Sequence, residues 1–515
     1  MSKRKHAIEA HFQGGLRLHG AGRLQEAEQV YRQVLGAEPR HADSLHMLGV
    51  IASQCGQPEA ALACIDQAIA IKPSAAAYHV NRAGALLALR RLDAALAACQ
   101  EALRFKRNLP EAYQLMGHAL SDLGRPEEAA TAYREALRLK PDLRDGHNDL
   151  ALALREASQL EQAAEAMNVA VRQAPGDLQL AGNLAGILKD LGRLDEADAL
   201  YRDILRRQPD NATAHFDLAL TLLTAGRFAE GWREWEWRFK AEPSLQRAFA
   251  QPHWQGEPLD GRTLLIYAEQ GMGDMMQFCR FVPMAGRGGR VILEMHAPLV
   301  RLLAQVPGAG EVVALGATLP AFDVQCSMLS LPHILGMASE QDIPREMPYL
   351  RADPVLAERW RRRTGELGGL RVGLVWAGNP ERLRMDRRRS ISLDQLRPLF
   401  DVSGVTFVSL QKDAGGTLGV PMIDWTDELG DFADTAALVE TLDLVIGVDT
   451  AVVHLAGAMG KRVWLLNRFD TCWRWLRDRD DSPWYPTLRQ FRQAIPGDWE
   501  SVVGHVREAL VEAAA

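Results

Sequence analysis

The first half of the chain repeats with a period of 34 residues. Proline stands at positions 39, 73, 141, 175, 209 and 243, and Arg107 fills the one remaining place in that series. Other positions keep the same step: small residues at 15, 49, 83, 117, 151, 185 and 219 and at 27, 61, 95, 129, 163, 197 and 231, and bulkier ones at 31, 65, 99, 133, 167, 201 and 235. Because several independent positions share one period, this half must be a stack of repeated units.

Each unit has the pattern of two antiparallel helices. The small residues let the helices approach closely, the bulky residue fills the space between them, and proline ends the second helix. The segment "LGRLDEADALYRDILRRQPDN" shows the whole pattern, which resembles the tetratricopeptide repeat. We therefore expect seven repeats over residues 8–245, forming a superhelix because no single pair buries its own apolar face. Repeats of this kind usually dock a polypeptide in a groove; a spacer or a dimerisation arm is the alternative.

The sequence pattern changes after residue 245, where the 34-residue repeat ends. "QPHWQGEPLDGR" is rich in Pro and Gly, so residues 246–262 are interpreted as a linker. Short apolar runs then alternate with helical patterns, and the predicted strands are 263–269, 290–295, 311–315, 371–377, 405–410, 443–448 and 462–466. Buried parallel strands in β–α–β units have this appearance. The predicted fold is α + α/β: an α-solenoid followed by two Rossmann-like lobes, 263–350 and 370–515, with a charged helical segment between them.

Composition excludes several classes of protein. The net charge of −7 gives no attraction to nucleic acid. The basic N-terminal stretch lacks the apolar core of a signal peptide, and no apolar run is long enough to span a membrane, so no integral membrane association is expected. The six cysteines form no CxxC pair, which indicates a reduced, cytoplasmic protein without a structural zinc site.

Ligands of doubly wound sheets bind beyond the carboxyl ends of the strands, so the loops there are the first candidates for a site. The predicted strand ending at Val448 is followed by Asp449 and Thr450, and then by a helix whose first amides can hold an anion. Thr450 adds a hydroxyl, and His454 lies one helical turn later on the same face. The alternative is that Asp449 or Thr450 caps the helix and His454 is a packed polar residue.

A second strand-end loop is "AEQGMGDMMQF". Gly271 and Gly273 would leave room for a ligand close to the backbone, and Asp274 stands at the start of the next helix. A carboxylate there could remove a proton from an acceptor hydroxyl. It could equally be a helix cap, and the two roles could coexist.

Two further strand ends carry cations. "WAGNPERLRMDRRRSIS" places five arginines within eight residues, which is either a solvated charge run or a clamp for phosphate. "SLQKD" places Gln411 and Lys412 near the same rim.

Together these motifs resemble glycosyltransferase family 9, the heptosyltransferase-like enzymes of the GT-B fold. The resemblance is carried by "GVDTAVVHLAGAMGKRVWLL", "EQGMGD", "GLVWAGNP", "DRRRSI", "SLQK" and "DSPWYPTLRQFRQ". It implies that Asp274 is the catalytic base and that the donor nucleotide is bound by Gly271, Gly273, Asn379, Arg387, Arg389, Ser390, Gln411, Lys412, Asp449, Thr450 and His454. The loop at 379–386 lacks a histidine that repeat-fused relatives would have.

The resemblance further implies inverting transfer from a nucleotide-sugar donor, without a cofactor and without a metal. Asp274 would activate the acceptor hydroxyl, and the helix N-terminus at Thr450 with nearby cations would stabilise the leaving phosphate. A DxD pattern at Asp478–Asp480 lies away from the predicted strand ends and is interpreted as a solvated cluster.

Three functions are consistent with these observations. The leading one is a glycosyltransferase that acts on a protein or peptide acceptor held in the repeat groove. The second is an inactive scaffold for protein–protein interaction. The third is a transferase acting on lipopolysaccharide or a lipid-linked glycan.

Overall fold

A computed structural model describes residues 2–143, 145–378, 388–412 and 419–515. The chain forms two compact units, Met1–Leu180 and Ala181–Ala515. The first contains helix pairs of the repeat array. The second contains the last repeats and both parallel sheets.

The repeat helices follow the predicted period. Their bounds are α1 Ser2–Gly20, α2 Leu24–Ala37, α3 Ala42–Gln54, α4 Pro58–Ile71, α5 Ala76–Ala88, α6 Leu92–Phe105, α7 Pro110–Asp122, α8 Pro126–Leu139, α9 Gly146–Glu156, α10 Leu160–Gln173, α11 Leu178–Leu191, α12 Leu194–Arg207, α13 Ala212–Thr224 and α14 Phe228–Trp235, with a short α15 at Arg238–Ala241. The periodic prolines lie two residues beyond the second helix of a pair, as at Pro39 after α2 and Pro209 after α12. The predicted role of proline in ending these helices is confirmed.

The close approach of paired helices is also confirmed. A methyl group added at Gly15 would lie 2.6 Å from the Tyr31 ring, and one at Gly117 would lie 2.5 Å from Tyr133. Real side chains do not approach so closely, so these positions need glycine because the bulky partner occupies the space. Tyr31 and Tyr133 are correspondingly buried.

His46 on α3 shows how this packing controls a titratable group. Its ring is 8% exposed and stacks on Tyr78 of α5, with 4.4 Å between centroids. The Asn81 side-chain amide lies 2.6 Å from Nε2 of His46. Burial lowers the pKa of His46 to about 4, although the charge of Asp43 opposes the shift.

The first unit should therefore lose stability as the pH falls from 6.5, the ordinary pKa of histidine, to about 4. In that window the unfolded chain binds a proton that the folded ring excludes, which costs at most about 3 kcal/mol. Hydrogen exchange of α3 and α5 across this range measures the loss. His46→Gln should flatten it, whereas His11→Gln, at an exposed position, should not; equal pH profiles for wild type and His46→Gln would contradict the assignment.

The second unit contains two parallel sheets. The first has the strand order β3-β2-β1-β4, with β1 Thr263–Tyr267, β2 Arg290–Met295, β3 Glu311–Ala314 and β4 Val324–Ser327. The second has the order β10-β9-β8-β5-β6-β7, with β5 Leu370–Val375, β6 Val405–Ser409, β7 Met422–Ile423, β8 Leu444–Val448, β9 Val463–Asn467 and β10 Leu488–Arg492. Every pairing is parallel. The predicted α + α/β fold class is confirmed.

Helices cover these sheets. They are α16 Met272–Phe278, α17 Val282–Ala285, α18 Val300–Leu303, α19 Leu331–Ile334, α20 Pro354–Thr364, α21 Arg397–Phe400, α22 Phe432–Glu440, α23 Ala451–Ala458 and α24 Trp499–Ala514. One face of the second sheet is buried with α22 and α23 and the other with α24. Burial on both faces explains why its strands are continuous apolar runs.

Three strands were not predicted. β4 and β10 contain polar residues such as Gln325, Arg489 and Gln490, so their sequences lack an apolar run. β7 is only two residues long. Each is the outermost named strand of its sheet.

The segment predicted as a linker belongs to the first lobe. Trp254 and Leu259 within it are buried. The Trp254 amide donates to the Gln325 carbonyl at 2.8 Å, and the Gln325 amide donates to the Pro252 carbonyl at 3.1 Å. Residues 252–254 therefore pair with β4, so the predicted linker is in part packed against the first lobe.

The last repeat shares a core with both lobes. Trp232 of α14 packs edge to face against Phe278 of α16 at 5.9 Å and against Trp473 at 5.2 Å. Trp484 contacts the same Phe278 ring. These aromatic residues pack the lobes together. In the described ranges, no helix is long and apolar enough to cross a membrane.

Candidate functional site

The Gly271–Asp274 loop and the helix after the Asp449–Thr450 turn meet, although Gly273 and His454 are 181 positions apart in the sequence. Gly273 lies in the first turn of α16, and a methyl group added there would be 2.8 Å from Cδ2 of His454 and 3.4 Å from Cα of Ala451 in α23. The start of α16, which follows β1, thus lies against the start of α23, which follows β8. This brings the proposed base and the proposed phosphate turn into one site.

Asp274 has both carboxylate oxygens occupied. Its Oδ2 accepts a hydrogen bond from the Gly271 amide at 3.0 Å, which caps α16. Its Oδ1 accepts a hydrogen bond from Nη2 of Arg474, on the loop after β9. Gly271 stands at the cap position and Asp274 at the third helical position of a capping box, and the second carboxylate oxygen is directed toward the other lobe.

Arg474 was not predicted as a site residue. It is 9% exposed, its Nη1 donates to Sγ of Cys472 at 3.0 Å, and its guanidinium lies 4.2 Å from the centroid of the Trp473 ring. Burial would lower its pKa, but the charges of Asp274 and Asp449 contribute to a pKa above the ordinary value. In the sequence, Arg474 lies between Trp473 and Trp475 and was therefore not considered as a site residue. Its position after β9, at the edge of the sheet where ligands bind, was the signal that could have identified it.

Asp449 and Thr450 form the turn before α23, but neither side chain caps the helix. Thr450 stands at the cap position without a side-chain hydrogen bond to the helix. Its Oγ1 is buried and has no hydrogen-bond partner in the described part of the chain. Burial would raise the pKa of Asp449, but His454, Arg474 and Arg389 hold it well below its usual range. The cap alternative is therefore wrong for Thr450, whose hydroxyl is left for another group.

His454 lies in the protein interior, as the alternative of a packed polar residue expects. The residue is 4% exposed, its Nδ1 lies 2.8 Å from the Tyr485 hydroxyl, and its ring stacks on Trp475 at 5.2 Å. Its Nε2 lies 3.6 Å from Oδ1 of Asp449. Helical spacing placed His454 on the correct face but could not show that residues 475 and 485 cover that face. The His454 ring thus positions the Asp449 carboxylate.

The space that was predicted to admit a ligand beside Gly273 is filled by the protein itself. The His454 ring and the α23 backbone occupy this space, so Gly273 serves lobe packing. A methyl group added at Gly271 would contact only Asp274 Oδ2, at 3.1 Å, so this loop position is less crowded.

The arginines after β5 connect three parts of the second unit. Nη1 of Arg389 donates to the Asp449 carbonyl at 3.1 Å. Arg388 lies 2.8 Å from a carboxylate oxygen of Asp470 and 3.5 Å from one of Asp190, on repeat helix α11. The Asp449–Thr450 turn is therefore linked to repeat helix α11 through the adjacent residues Arg388 and Arg389.

Positive and negative charges are matched here. Arg468 lies 3.6 Å from Asp470, so in the described residues the arginines 388, 389, 468 and 474 face the aspartates 190, 274, 449 and 470. Of the five arginines in the predicted clamp, Arg388 pairs with carboxylates and Arg389 donates to a backbone carbonyl, whereas Arg382, Arg384 and Arg387 lie outside the described residues. An incoming anion would have to compete with carboxylates for these guanidinium groups.

Gln411 and Ser390 support the loop after β5. Gln411 Oε1 accepts hydrogen bonds from the amides of Trp376, at 3.1 Å, and Ala377, at 2.8 Å. The Ser390 hydroxyl accepts one from the Gly378 amide at 3.1 Å. Because these oxygens already accept hydrogen bonds from the loop, we assign Gln411 and Ser390 to support of the loop and not to contact with a donor nucleotide. Lys412 is exposed at the end of β6.

Asn379 and Arg387, also predicted to bind the donor, lie outside the described residues. Within the described ranges, no group of three or more His, Cys, Asp or Glu residues is arranged to hold a metal ion.

A second candidate surface lies on the first helices of the repeats in the first unit. Tyr78 donates to Asp43 one repeat earlier, and the side chains of Asn81 and His46 lie 2.6 Å apart. Farther along, Gln114 and His118 both contact Asp149, at 3.1 and 3.0 Å. These contacts join polar side chains of successive repeats. His46 and Tyr78 are buried, but Asn81, Gln114, His118 and Asp149 are only half-buried, and such groups can hydrogen-bond an extended peptide.

Comparison with known proteins identifies the repeats. Two descriptions of the tetratricopeptide repeat match the chain, one over residues 115–177 and 184–236 and the other over residues 18–85. Among solved structures, the chain is similar to pilF of Pseudomonas aeruginosa, with 20% identity, a TM-score of 0.37, and coverage of 40% of this chain and 94% of that one. It is also similar to a thermophilic TPR protein from Thermus thermophilus, with 23% identity, a TM-score of 0.30, and coverage of 35% and 98%.

A longer match is to Protein FlbA of Caulobacter vibrioides, with 32% identity over 336 residues. It covers 58% of this chain and 55% of that protein, so the chain spans about half the length of this relative. The chain contains tetratricopeptide repeats, which indicate a protein-interaction scaffold.

Proposed function

We propose that the two-sheet part of the second unit is a glycosyltransferase, which moves a sugar from a nucleotide-activated donor to a protein acceptor docked by the repeats. The observation that carries this proposal is the contact between the starts of α16 and α23, where Gly273 lies against Ala451 and His454 and so brings Asp274 close to the Asp449–Thr450 turn. Sequence resemblance assigns a base to one loop and a donor site to the other. A transferase needs both at one place.

The turn offers unused binding capacity. α23 begins at Ala451, so its first amides are available to an anion beside the Thr450 hydroxyl, which lacks a partner in the described residues. Arg474 has a buried Nε that likewise lacks one. Buried polar groups without partners cost free energy, and a phosphate or ribose at the turn would satisfy them.

Transfer would proceed by inversion. Asp274 takes the proton of the acceptor hydroxyl, whose oxygen attacks the anomeric carbon as the bond to the phosphate oxygen breaks. Helix amides and arginines then stabilise the charge on the departing nucleotide, so we propose that no metal is required.

The repeats would supply the acceptor. Their half-buried polar side chains suit an extended peptide, and the Arg388–Asp190 contact joins the last repeats to the donor turn. A catalytically inactive scaffold is the second candidate, and it is favoured by the ion pairing of Asp274. Binding of a nucleotide discriminates between the two.

The experiment is a thermal-shift screen of nucleoside diphosphates and monophosphates, followed by calorimetry on Thr450→Val. Because the Thr450 hydroxyl has no partner within the described ranges, the variant should fold as stably as the wild type. It should lose about 1–2 kcal/mol of nucleotide affinity, roughly 5- to 30-fold, through one hydrogen bond to a charged group. Thr441→Val, which removes a hydroxyl bonded to the Leu438 carbonyl outside the site, is the control and should bind normally. No nucleotide binding by the wild type would leave only the scaffold.

A further inference from the structure

Arg474 holds a position between two carboxylates. It pairs with Asp274 of the first lobe, and the negative charge of Asp449 in the second lobe also acts on it. The side chains of Arg474 and Asp274 are 11% and 15% exposed, so water weakens this pair little.

This pair conflicts with the chemistry proposed for Asp274. A carboxylate that accepts a proton from a substrate hydroxyl needs an oxygen free to face it. Here Oδ2 takes the Gly271 amide and Oδ1 takes the Arg474 guanidinium. In this arrangement each oxygen already accepts one hydrogen bond, and the oxygen directed at the second lobe is paired with a cation, which disfavours its taking up a proton.

The guanidinium can form further bonds toward the phosphate turn. Its Nε is buried and lacks a partner in the described ranges, as does the Thr450 hydroxyl. Planar guanidinium groups bind phosphate oxygens through two parallel hydrogen bonds, which a single carboxylate oxygen cannot match. A diphosphate at the turn would therefore compete with Asp274 for Arg474.

We propose that Arg474 is a positioning residue that keeps Asp274 engaged until the donor binds, and that the donor diphosphate withdraws Arg474 and releases the carboxylate. This inference rests on the proposed function and adds regulation of the same site by its own substrate. Only ion pairs are exchanged, and no covalent bond changes in this step. Its consequence is that the base becomes available only when a donor is present to react.

If Asp274 and a diphosphate compete for Arg474, substitutions of Asp274 and of Arg474 should change the affinity for a diphosphate in opposite directions. Inorganic pyrophosphate is a suitable probe, because it carries the diphosphate without base or sugar. Asp274→Asn removes the competitor and should tighten pyrophosphate binding by about tenfold, whereas Arg474→Gln should weaken it by about tenfold or more. The double variant should bind as Arg474→Gln does. A merely structural role for the pair would weaken binding in both single variants.

Calorimetry with the full chain measures these affinities, and melting temperatures show that each variant folds. If Asp274→Asn does not fold, a structure of the wild type with pyrophosphate tests the same point. It should show Arg474 on a phosphate oxygen and Asp274 no longer in contact with it. Unchanged or weakened binding by folded Asp274→Asn, or an intact Arg474–Asp274 pair beside bound pyrophosphate, overturns the release mechanism alone. Failure of the wild type to bind any nucleoside diphosphate overturns the proposed function as well.

Discussion

Asp274→Asn should lower the rate of glycosyl transfer by about 10²- to 10⁴-fold, the range expected for loss of a general base. The asparagine amide cannot accept the proton of the acceptor hydroxyl at neutral pH. Its carbonyl oxygen can still accept the Gly271 amide, so α16 should keep its start. The measurement is transfer of labelled sugar from the donor found in the thermal-shift screen to protein, with slow hydrolysis of the donor as a second readout.

This loss should have a distinctive kinetic form. If the variant binds the diphosphate more tightly, KM for the donor falls while kcat collapses, which a general loss of structure would not produce. Asp478→Asn and Asp480→Asn are matched controls, because these aspartates of the DxD pattern are exposed. Both should retain wild-type rates. Full activity in Asp274→Asn would remove this carboxylate from the mechanism.

The repeats were predictable because their determinants are local and repeated. A glycine such as Gly117 faces a tyrosine 16 residues later within one helix pair, so the spacing alone reports the contact. The central strands were predictable because burial on both sides requires apolar residues throughout. The outermost strands β4 and β10 escaped prediction because polar residues such as Gln325 and Gln490 interrupt the apolar run.

The site was only partly predictable, since its contacts join residues from different lobes. The positions of Asp274, Asp449 and Thr450 follow from the rule that ligands bind at strand ends. That rule could not show that Tyr485 and Trp475 bury His454, or that Arg474 reaches Asp274, 200 residues away in the sequence. Such contacts depend on how the lobes close, which leaves no periodic pattern in the chain.

The second large effect is expected at Arg238, in the last helical turn of the repeats. Its side chain is fully buried, and it donates to both carboxylate oxygens of Glu269, at 2.7 and 2.9 Å, and to the Ser330 hydroxyl at 2.8 Å. Replacing Arg238 with Met leaves the buried Glu269 carboxylate unpaired, which should cost about 3–5 kcal/mol. Urea denaturation followed by tryptophan fluorescence measures this loss, since Trp232 and Trp235 lie in the same core.

The matched control is Arg193→Gln, which breaks a pair with Glu196 whose side chains are 49% and 55% exposed. Such a pair is worth about 0.5 kcal/mol or less, so equal losses in both variants would contradict the role given to Arg238. Adding Glu269→Gln to Arg238→Met should recover part of the stability, because the more deeply buried of the two carboxylates paired with Arg238 then loses its charge, while Glu236 keeps its own.

The Arg238–Glu269 pair also limits where the chain can be truncated to test the role of the repeats. Glu269 follows β1 and lies two residues before Gly271, so the pair fixes the loop that presents Asp274. Deleting residues 1–245 would break it and would expose the apolar surface that Trp232 covers. Loss of transferase activity on that deletion would therefore not show that the repeats dock the acceptor.

Deleting residues 1–180 retains the compact unit Ala181–Ala515 with the pair intact. That truncation should keep nucleotide binding and donor hydrolysis while losing transfer to protein; retention of protein transfer would place acceptor recognition outside the first unit.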